Sequence, residues 1–219
     1  MYVNVNTEII LMARPAKLSR QHIQQAALML ADQQGVAQLS IRALAKQLNT
    51  APMTLYNYVS TREEIDLLVV DAVVSEINLT LDEEQNWQDA LRTVAVRAWL
   101  VFREHPKVVP LILTRRSQSR AVQDFSEVLL NILVKSGRQE AQLLYAFRAV
   151  TAVITGVAQT EFQTAVNTGS ELCREQAITD LQKLSDSHPR LSLMASGAAQ
   201  VSEQQEFAGA LDIILRGLN

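Results

Sequence analysis

The sequence contains little that would stabilise a secreted protein or span a membrane. Cys173 is its only cysteine, so an intramolecular disulfide cannot form and a reducing cytoplasm is the expected compartment. The longest apolar runs, around 98–102 and 108–113, are far shorter than the roughly 20 residues of a membrane-spanning helix. The chain also lacks an initial basic segment followed by an apolar stretch, which a secretory signal requires. These absences predict a soluble cytoplasmic protein with no membrane span.

Signatures of catalysis are missing as well. The chain has no GxGxxG, GxxxxGK, GxSxG or HExxH motif. His22, His105 and His188 lie far apart, and none is four residues from a second ligand type on a helix, so neither a metal site nor a cofactor is expected. Cys173 would be a nucleophile only with a base nearby to deprotonate it, and a buried or idle thiol is the simpler interpretation. An enzyme is therefore not predicted.

What is present is an ordinary globular composition with an uneven charge. The 219 residues are 48% hydrophobic with only seven Gly and five Pro, which predicts one or two folded domains rather than a disordered chain. Residues 1–62 hold six basic and two acidic side chains, whereas residues 63–219 carry a net charge of −7. A basic module on an acidic body is the electrostatic footprint of nucleic-acid binding. Six basic residues are not dense, however, so a chance distribution is the alternative unless the geometry also fits.

The N-terminal quarter has the pattern of short helices and tight turns. Capping residues and helical periodicity predict an arm and four helices over 1–16, 19–35, 40–49, 52–58 and 61–80. Met12, in the arm, offers an alternative start. Ser40 caps the second helix, Asn49 tolerates positive φ at its end, and Pro52 fits the first turn of the third. Two short helices joined by so tight a turn make a helix-turn-helix.

The rest of the chain also has helical periodicity. Further helices are predicted over 86–105, 108–113, 122–137, 139–164, 171–184 and 206–218, with a loop over 187–197. No segment alternates with period two beyond the isolated 2–5, so the fold should be all-α with about nine or ten helices.

Two of these helices carry apolar seams with spacings of three and four residues. The seams consist of Leu143, Phe147, Val150, Ile154 and Val157 on one helix, and Phe207, Leu211, Ile214 and Leu218 on the other. We interpret them as dimer contacts that form a four-helix bundle between two copies. The alternative is that both seams belong to the core of a single chain.

The third helix offers side chains suited to a DNA groove. With Leu55 directed inward, the opposite face presents Pro52, Met53, Tyr56 and Asn57, with Thr54 and Tyr58 nearby. Asparagine pairs with adenine, methionine and proline contact thymine methyl groups, and the hydroxyls donate to phosphates. Arg42, near the start of the second helix, is placed to reach a base or a phosphate. The alternative is that both tyrosines are core residues with a polar tip and that Asn57 is ordinary surface.

The run SIRALAKQLNTAPMTLYNYVSTREEI, residues 40–65, resembles the DNA-binding module of the TetR family of transcriptional regulators. The Thr54-Leu55-Tyr56 core, the aromatic Tyr58 and the basic Arg62 before an acidic helix start are among that family's most specific features. The resemblance is strong over 18–70. It extends more weakly to the Trp87 helix, Glu104-His105-Pro106, Thr114-Arg115 and 139–164, which look like the C-terminal domain of the tetracycline-repressor branch.

The resemblance implies an all-α protein with an N-terminal three-helix helix-turn-helix DNA-binding domain and a larger C-terminal helical domain for effector binding and dimerisation. It places the DNA-binding domain at 17–63, linked by the 61–80 helix to the second domain at 64–219. The implied function is a homodimeric repressor that reads a palindromic operator in double-stranded DNA and is released by a small-molecule effector. Half-site centres would lie about one helical turn (~34 Å) apart in successive major grooves.

The family's DNA contacts map onto one compact set of residues. They fall on Lys17, Ser40, Arg42, Thr50, Ala51, Pro52, Met53, Thr54, Tyr56, Asn57, Tyr58 and Arg62. Two positions depart from the family pattern. Asn49 stands where the family usually has glycine, and Leu111 stands near the position of the histidine through which tetracycline repressors bind the drug's divalent metal. The second departure argues against a metal-chelated tetracycline as the effector.

A largely apolar effector would enter between the helices of the body. Candidate contacts are Trp99, Phe102, His105, Arg116, Tyr145, Phe147 and Phe162, although an aromatic at helical spacing is also compatible with ordinary core packing. A rival function is an all-helical ligand carrier or interaction module that keeps the fold without operator binding. A hydrolase is a third possibility, but it would need a coupled nucleophile and base that the sequence does not display.

Overall fold

The computed structural model describes residues 18–168 and 172–218. The N-terminal part begins with four helices and a short 3₁₀ turn, Val36–Gln38. The helices are α1 (Arg20–Gln34), α2 (Ile41–Gln47), α3 (Pro52–Leu55) and α4 (Arg62–Ser75). Hydroxyl caps start three of them, because the Ser19, Ser40 and Thr61 side chains accept hydrogen bonds from the backbone N–H three residues on.

Seven further helices form the body. They are α5 (Trp87–Glu104), α6 (Val109–Arg115), α7 (Arg120–Val134), α8 (Glu140–Thr168), α9 (Leu172–Gln182), α10 (Pro189–Ala198) and α11 (Glu203–Gly217). The described residues thus form eleven α-helices and no strand, which confirms the all-α prediction. The loop predicted over 187–197 is wrong. Pro189 stands in the first turn of α10, where a missing N–H costs no hydrogen bond, and Ala195 is buried.

Helix α4 connects the two parts of the molecule. One side packs against α1 and the other against α5, α6 and α7. Accordingly α4 is buried nearly all round, with Ile65, Val69, Val70 and Val73 fully inaccessible. Displacing α4 would therefore disturb both the helix-turn-helix and the body, since each packs directly on it.

The core of the body surrounds α5, which packs against α4, α7, α8 and α11. Trp99 of α5 stacks on Phe207 of α11 with ring centroids 5.5 Å apart, and both side chains are fully buried. This pair fixes the spacing between α5 and α11 near the middle of the domain.

Four members of the predicted apolar seams are too deeply buried in the chain's own core to be dimer contacts. Val150, Ile154, Phe207 and Leu211 are fully buried, which corrects their interpretation as dimer contacts. The physical reason is that α8 and α11 pack on each other and on α5 within one chain. The half-buried members, for which a dimer contact stays a prediction, are Leu143, Phe147, Val157, Ile214 and Leu218.

One helix in the described part of the chain, α8, is apolar and long enough over Glu140–Gln159 to cross a membrane by length and composition alone. Its inner side packs against α5, α6, α7 and α11. Its outer side exposes Leu144 and Tyr145, with 49% and 67% of their surface accessible. Helix α8 is therefore a body helix that keeps a second apolar face uncovered in the single chain.

Candidate DNA interface and effector cavity

The helix-turn-helix is held together by the inward faces of α2 and α3. Leu44, Ala45 and Leu55 are buried in the same core cluster as α1 and α4. Asn49 adopts a φ of 48°, and the Thr50 N–H then donates to the Ala45 carbonyl at 2.9 Å. Asparagine is the non-glycine residue best suited to this left-handed conformation. The turn between α2 and α3 therefore forms without the glycine that the family usually has there.

The outward face of α3 and of the residues that follow it is open to solvent. Met53 has 74% of its surface accessible and Tyr56 48%, and Pro52, Thr54 and Asn57 are also exposed. Met53 in this four-residue helix and Tyr56 directly after it contribute little to the stability of the folded domain, because both side chains are exposed. The arrangement suits a major groove, where the apolar groups contact thymine methyls and Asn57 reaches base edges.

Two predicted DNA contacts make hydrogen bonds within the protein instead. The Tyr58 hydroxyl donates to the Leu18 carbonyl at 2.9 Å, so its proton is already used inside the domain. All three nitrogens of the Arg62 guanidinium donate inside the domain, to the Asp66 carboxylate and to the carbonyls of Val36 and Leu39. In this structure Arg62 joins α4 to the segment before α2, so the bonds within the domain compete with its predicted role as a DNA contact.

The remaining predicted contacts surround the α3 face. Ser40 is exposed and accepts from the Ala43 N–H, which leaves its hydroxyl proton free. Arg42 is exposed and, with Lys46 four residues on, forms no ion pair among the described residues. Ala51 is exposed and Thr50 half-buried in the turn, whereas Lys17 lies outside the described residues. Sequence reasoning had not named Lys46, although its spacing from Arg42 on α2 was a readable signal.

A cavity of about 640 Å³ opens in the body between α5, α6, α7 and α8. Its apolar wall includes Val74, Phe102, Ile112, Leu113, Val122, Phe125, Leu130, Phe147 and Ile154. Its polar wall includes Arg116, Ser117, Gln123, Ser126, Glu127, Arg148, Thr151 and Thr155. A mainly apolar concavity with a few polar groups is the usual form of a small-molecule site.

Three predicted effector residues line this cavity, namely Phe102, Arg116 and Phe147. Three others lie elsewhere. Trp99 belongs to the central core, His105 lies between α1 and α4, and Tyr145 is exposed on the outer side of α8. Phe162 lies in a stretch of α8 whose side chains are outside the description.

Sequence reasoning missed Arg148, Thr151 and Thr155, which line the cavity from α8. A signal existed, because Arg148 is the only charged residue after Glu140 in the apolar stretch 140–159. A charge at that place in an apolar helix needs either solvent or a partner. The hydrophobic seam gave no comparable signal, since Thr151 and Thr155 fall between its members.

Helix α6 links the cavity to the helix-turn-helix through buried charge. Arg116 at its end lines the cavity, and the preceding Arg115 donates to Asp66 of α4 at 2.9 Å. Asp66 is 3% exposed and also accepts from Arg62 at 2.6 Å. Arg62 in turn holds the Val36 and Leu39 carbonyls just before α2. The chain of contacts from cavity wall to DNA-reading module is therefore continuous.

A second set of contacts crosses from the body to α1. His105, after α5, places Nδ1 3.0 Å from an Asp32 oxygen and Nε2 3.1 Å from a Glu76 oxygen. The hydrogen bond to Asp32 raises the pKa of His105 above its usual 6.5, against the lowering effect of burial and with further help from Glu76. Lys107 donates to the carbonyls of Asp32 and Gln33 at 2.7 and 3.0 Å. These cations also lie at the C-terminal end of α1, where positive charge is favourable.

The fold and these two sites define a class of protein: a helix-turn-helix transcriptional regulator whose DNA-reading module is attached to a helical body. The sequence profile of bacterial regulatory proteins of the tetR family matches residues 23–65. The profile described as tetracyclin repressor-like, C-terminal domain, matches residues 80–219. The chain belongs to the TetR family of transcriptional regulators, which are DNA-binding proteins and not enzymes.

Individual relatives agree with this membership. An HTH-type transcriptional regulator of Saccharopolyspora erythraea is 31% identical over 144 residues, which cover 66% of this chain and 61% of that protein. The HTH-type transcriptional repressor DrrR1 of Streptomyces coeruleorubidus is 26% identical over 92% of this chain and 77% of its own length. The structure of ActR from Streptomyces coelicolor in complex with actinorhodin superposes with a TM-score of 0.76 at 25% identity, covering 93% and 97% of the two chains.

Proposed function

We propose that this regulator is a homodimeric repressor that binds a palindromic operator through the major groove and is released by a small-molecule effector in the α5–α8 cavity. The observation that carries the proposal is the unbroken contact path from the cavity through Arg115, Asp66 and Arg62 to the start of α2. A ligand acts on DNA binding only through a difference in its affinity for two arrangements of the protein. Helix α6 is the element through which such a difference would reach α4.

Two relatives support the finer parts of the proposal. DrrR1 is named a transcriptional repressor, and ActR has been crystallised with actinorhodin. The cavity described above supplies a comparable small-molecule site in this chain. The predicted domains at 17–63 and 64–219 fit this division into a DNA-binding part and an effector-binding part. Helix α4 packs against helices of both parts.

Dimerisation is assigned to the outer faces of α8 and α11. Leu144 and Tyr145 on α8 are exposed, and Ile213 on α11 has 70% of its surface accessible. Gly209 and Gly217 lie one helical turn to either side of Ile213, so a partner helix can approach closely there. Pairing these faces between two copies would form a four-helix bundle and place the two α3 helices on one side of the dimer.

The test is binding of the purified protein to the DNA flanking its own coding region, measured by mobility shift at two salt concentrations against unrelated competitor DNA. A competitor-resistant complex that weakens steeply with salt is expected, because phosphate contacts release counterions. Tyr56→Ala and Asn57→Ala should each weaken it, whereas the matched surface change Ser187→Ala in the α9–α10 loop should not. Specific binding that survives both α3 changes would remove α3 as the reading element. Absence of any specific complex, also in selection from random sequences, would favour the ligand-carrier function.

A further inference from the structure

Three of the four hydroxyl groups that line the cavity have already used their protons, and Ser117 is the fourth. Thr151 Oγ1 donates to the Phe147 carbonyl at 2.8 Å, and Thr155 Oγ1 donates to the Thr151 carbonyl at 2.7 Å. Ser126 Oγ likewise donates to the Val122 carbonyl at 2.7 Å. A hydroxyl has a single proton, so these three groups offer a ligand only lone pairs. Hydrogen-bond donors toward a ligand must come from other side chains of the wall.

The strongest donors in the wall are two arginines. Arg116 at the end of α6 and Arg148 on α8 both line the cavity, and both are exposed. Neither forms an ion pair with a described residue, whereas six of the other nine arginines of the body pair with a carboxylate or donate to backbone carbonyls. Their guanidinium groups are therefore available to a ligand. Glu127 is the only acidic residue of the wall, so the wall carries an excess of positive charge.

The aromatic and aliphatic part of the cavity lining cannot hold a charge. Phe102, Phe125 and Phe147 belong to it together with aliphatic side chains from α6 and α7. An ion placed against these residues would lose its hydration without compensation. The cavity therefore combines apolar side chains, which suit a ring system, with two arginines that suit a carboxylate or a similar anion.

We infer that the effector is an apolar, ring-containing molecule that carries one anionic group, bound by Arg116 and Arg148. The planar guanidinium binds carboxylate and sulfonate oxygens in a forked geometry, which a neutral or cationic ligand cannot use. The inference rests on the proposed function in treating this cavity as the effector site. It narrows the class of effector to apolar acids. Neutral or cationic analogues of the same size should bind more weakly.

The test uses a matched pair of fluorescent probes and no DNA. 8-Anilinonaphthalene-1-sulfonate carries an anionic group on an apolar ring system, and N-phenyl-1-naphthylamine is the same ring system without the sulfonate. Fluorescence titration of the purified full chain should give tighter binding of the anionic probe. The double variant Arg116→Met, Arg148→Met should weaken binding of the anionic probe by about 10- to 100-fold, because each lost contact is a hydrogen bond between charged groups. Binding of the neutral probe should change by less than about 2-fold.

Three further variants make the result specific. Arg190→Met removes an exposed arginine of α10 that does not line the cavity, and it should leave both probes unchanged. Ala152→Trp fills the cavity from α8 and should abolish binding of both probes. Glu127→Gln removes the one opposing charge of the wall and should tighten binding of the anionic probe by about 2- to 5-fold without changing binding of the neutral probe. Partial unfolding would instead increase the binding of both probes.

Several outcomes would overturn the inference. These are equal binding of the two probes to the native chain, equal loss of both in the double arginine variant, loss of the anionic probe in Arg190→Met, or survival of binding in Ala152→Trp. The repressor proposal fails separately, through the absence of a specific DNA complex. A chain that binds the anionic probe as described but no operator would refute the repressor and leave the anionic site in place.

Discussion

Arg42 and Arg62 carry the same charge in the same domain, but their hydrogen bonds indicate different roles. Arg42 is exposed on α2 without a partner among the described residues, whereas Arg62 donates to a carboxylate and two carbonyls. An arginine whose three nitrogens each donate within the domain gains little by turning to a phosphate, because it would leave Asp66 with one partner fewer and two carbonyls unpaired. A free arginine on the reading side has no such cost.

We expect opposite phenotypes for the two arginines. Arg62→Met should lower the free energy of unfolding by about 2–3 kcal/mol, the cost of removing hydrogen bonds to charged and buried groups. Arg42→Met should leave the free energy of unfolding within about 0.5 kcal/mol, as for most surface changes. It should instead weaken DNA binding and reduce the slope of log K for DNA binding against log salt concentration by about one unit. Urea denaturation and salt-dependent mobility shifts separate the two, and a destabilised Arg42→Met with normal DNA binding would contradict the assignment.

His105 makes the stability of the α1–α4–α5 junction depend on pH. Only the protonated ring can donate from both nitrogens to Asp32 and Glu76, which is why its pKa in the folded protein is raised above 6.5. The folded state therefore holds this proton more tightly than the unfolded state. The resulting stabilisation is fully present below pH 6.5 and is lost as the pH rises through the raised pKa.

His105→Gln should remove this dependence. The difference in free energy of unfolding between the native chain and the variant should be largest at acidic pH and shrink as the pH rises through the raised pKa. His188→Gln is the matched control, because His188 is exposed and its ring hydrogen-bonds only to the neighbouring Ser187 among the described residues. Urea titrations at several pH values measure both, and a difference that grows with pH would reverse the assigned sign.

At the scale of whole elements, α6 connects the cavity to Asp66 in the first half of α4, while Val74 near the end of α4 lines the cavity itself. It contributes Ile112 and Leu113 to the cavity wall, and its Arg115 is bonded to the buried Asp66. Bonds that cross between two packed helices transmit a shift of one helix to the other only while both partners are present. The helix is only seven residues long, so it can shift as a unit.

We expect Arg115→Met to weaken the response to ligand more than ligand binding itself. The ratio of operator affinities without and with an effector should fall by about 2- to 30-fold, the range measured for residues that modulate coupling. The affinity for the anionic probe, 8-anilinonaphthalene-1-sulfonate, should change by less than about 2-fold, because Arg115 does not line the cavity. Arg120→Met is the control, since Arg120 is highly exposed and pairs only with Asp124. An unchanged ratio would show that the coupling between effector binding and operator binding does not depend on the bond between Arg115 and Asp66.

All helices except α10 could be predicted from the sequence, but which of their faces would be buried could be predicted only in part. Caps at Ser40 and Thr61 and the left-handed Asn49 follow from local chemistry, which is why the helix-turn-helix was predicted closely. Helix α8, by contrast, is apolar on more than one side, so periodicity alone does not tell which side meets its own chain. Likewise, the internal bonding of Arg62 depends on Asp66 and on two backbone carbonyls that only the fold brings together.

At the scale of the whole molecule, we expect the proposed dimer to form through the uncovered faces of α8 and α11. Burying Ile213 and Leu144 against a second copy would remove exposed apolar surface from water and contribute about 25 cal/mol per Å². Two reading modules joined in this way bind an operator with far higher affinity than one, because the second binding step is intramolecular.

Ile213→Asp should convert the dimer to a monomer and abolish specific operator binding. A buried, unpaired carboxylate on each side of the interface costs several kcal/mol. Val134→Asp, which changes a 52% exposed valine at the end of α7, should leave the assembly intact. Analytical ultracentrifugation measures the assembly, and a dimeric Ile213→Asp protein would move the interface to another surface.

The bond from the Tyr58 hydroxyl to the Leu18 carbonyl has a practical consequence for anyone who handles this protein. It ties Leu18 to Tyr58, which directly follows the exposed Tyr56 and Asn57 in the sequence, so a fusion partner joined directly to Leu18 would begin near the surface proposed to read DNA. A partner added after α11 would emerge next to the helix assigned to dimerisation. Reporter peptides and dye-labelling sites are better inserted at the exposed residues 82–84 between α4 and α5, which belong to neither surface.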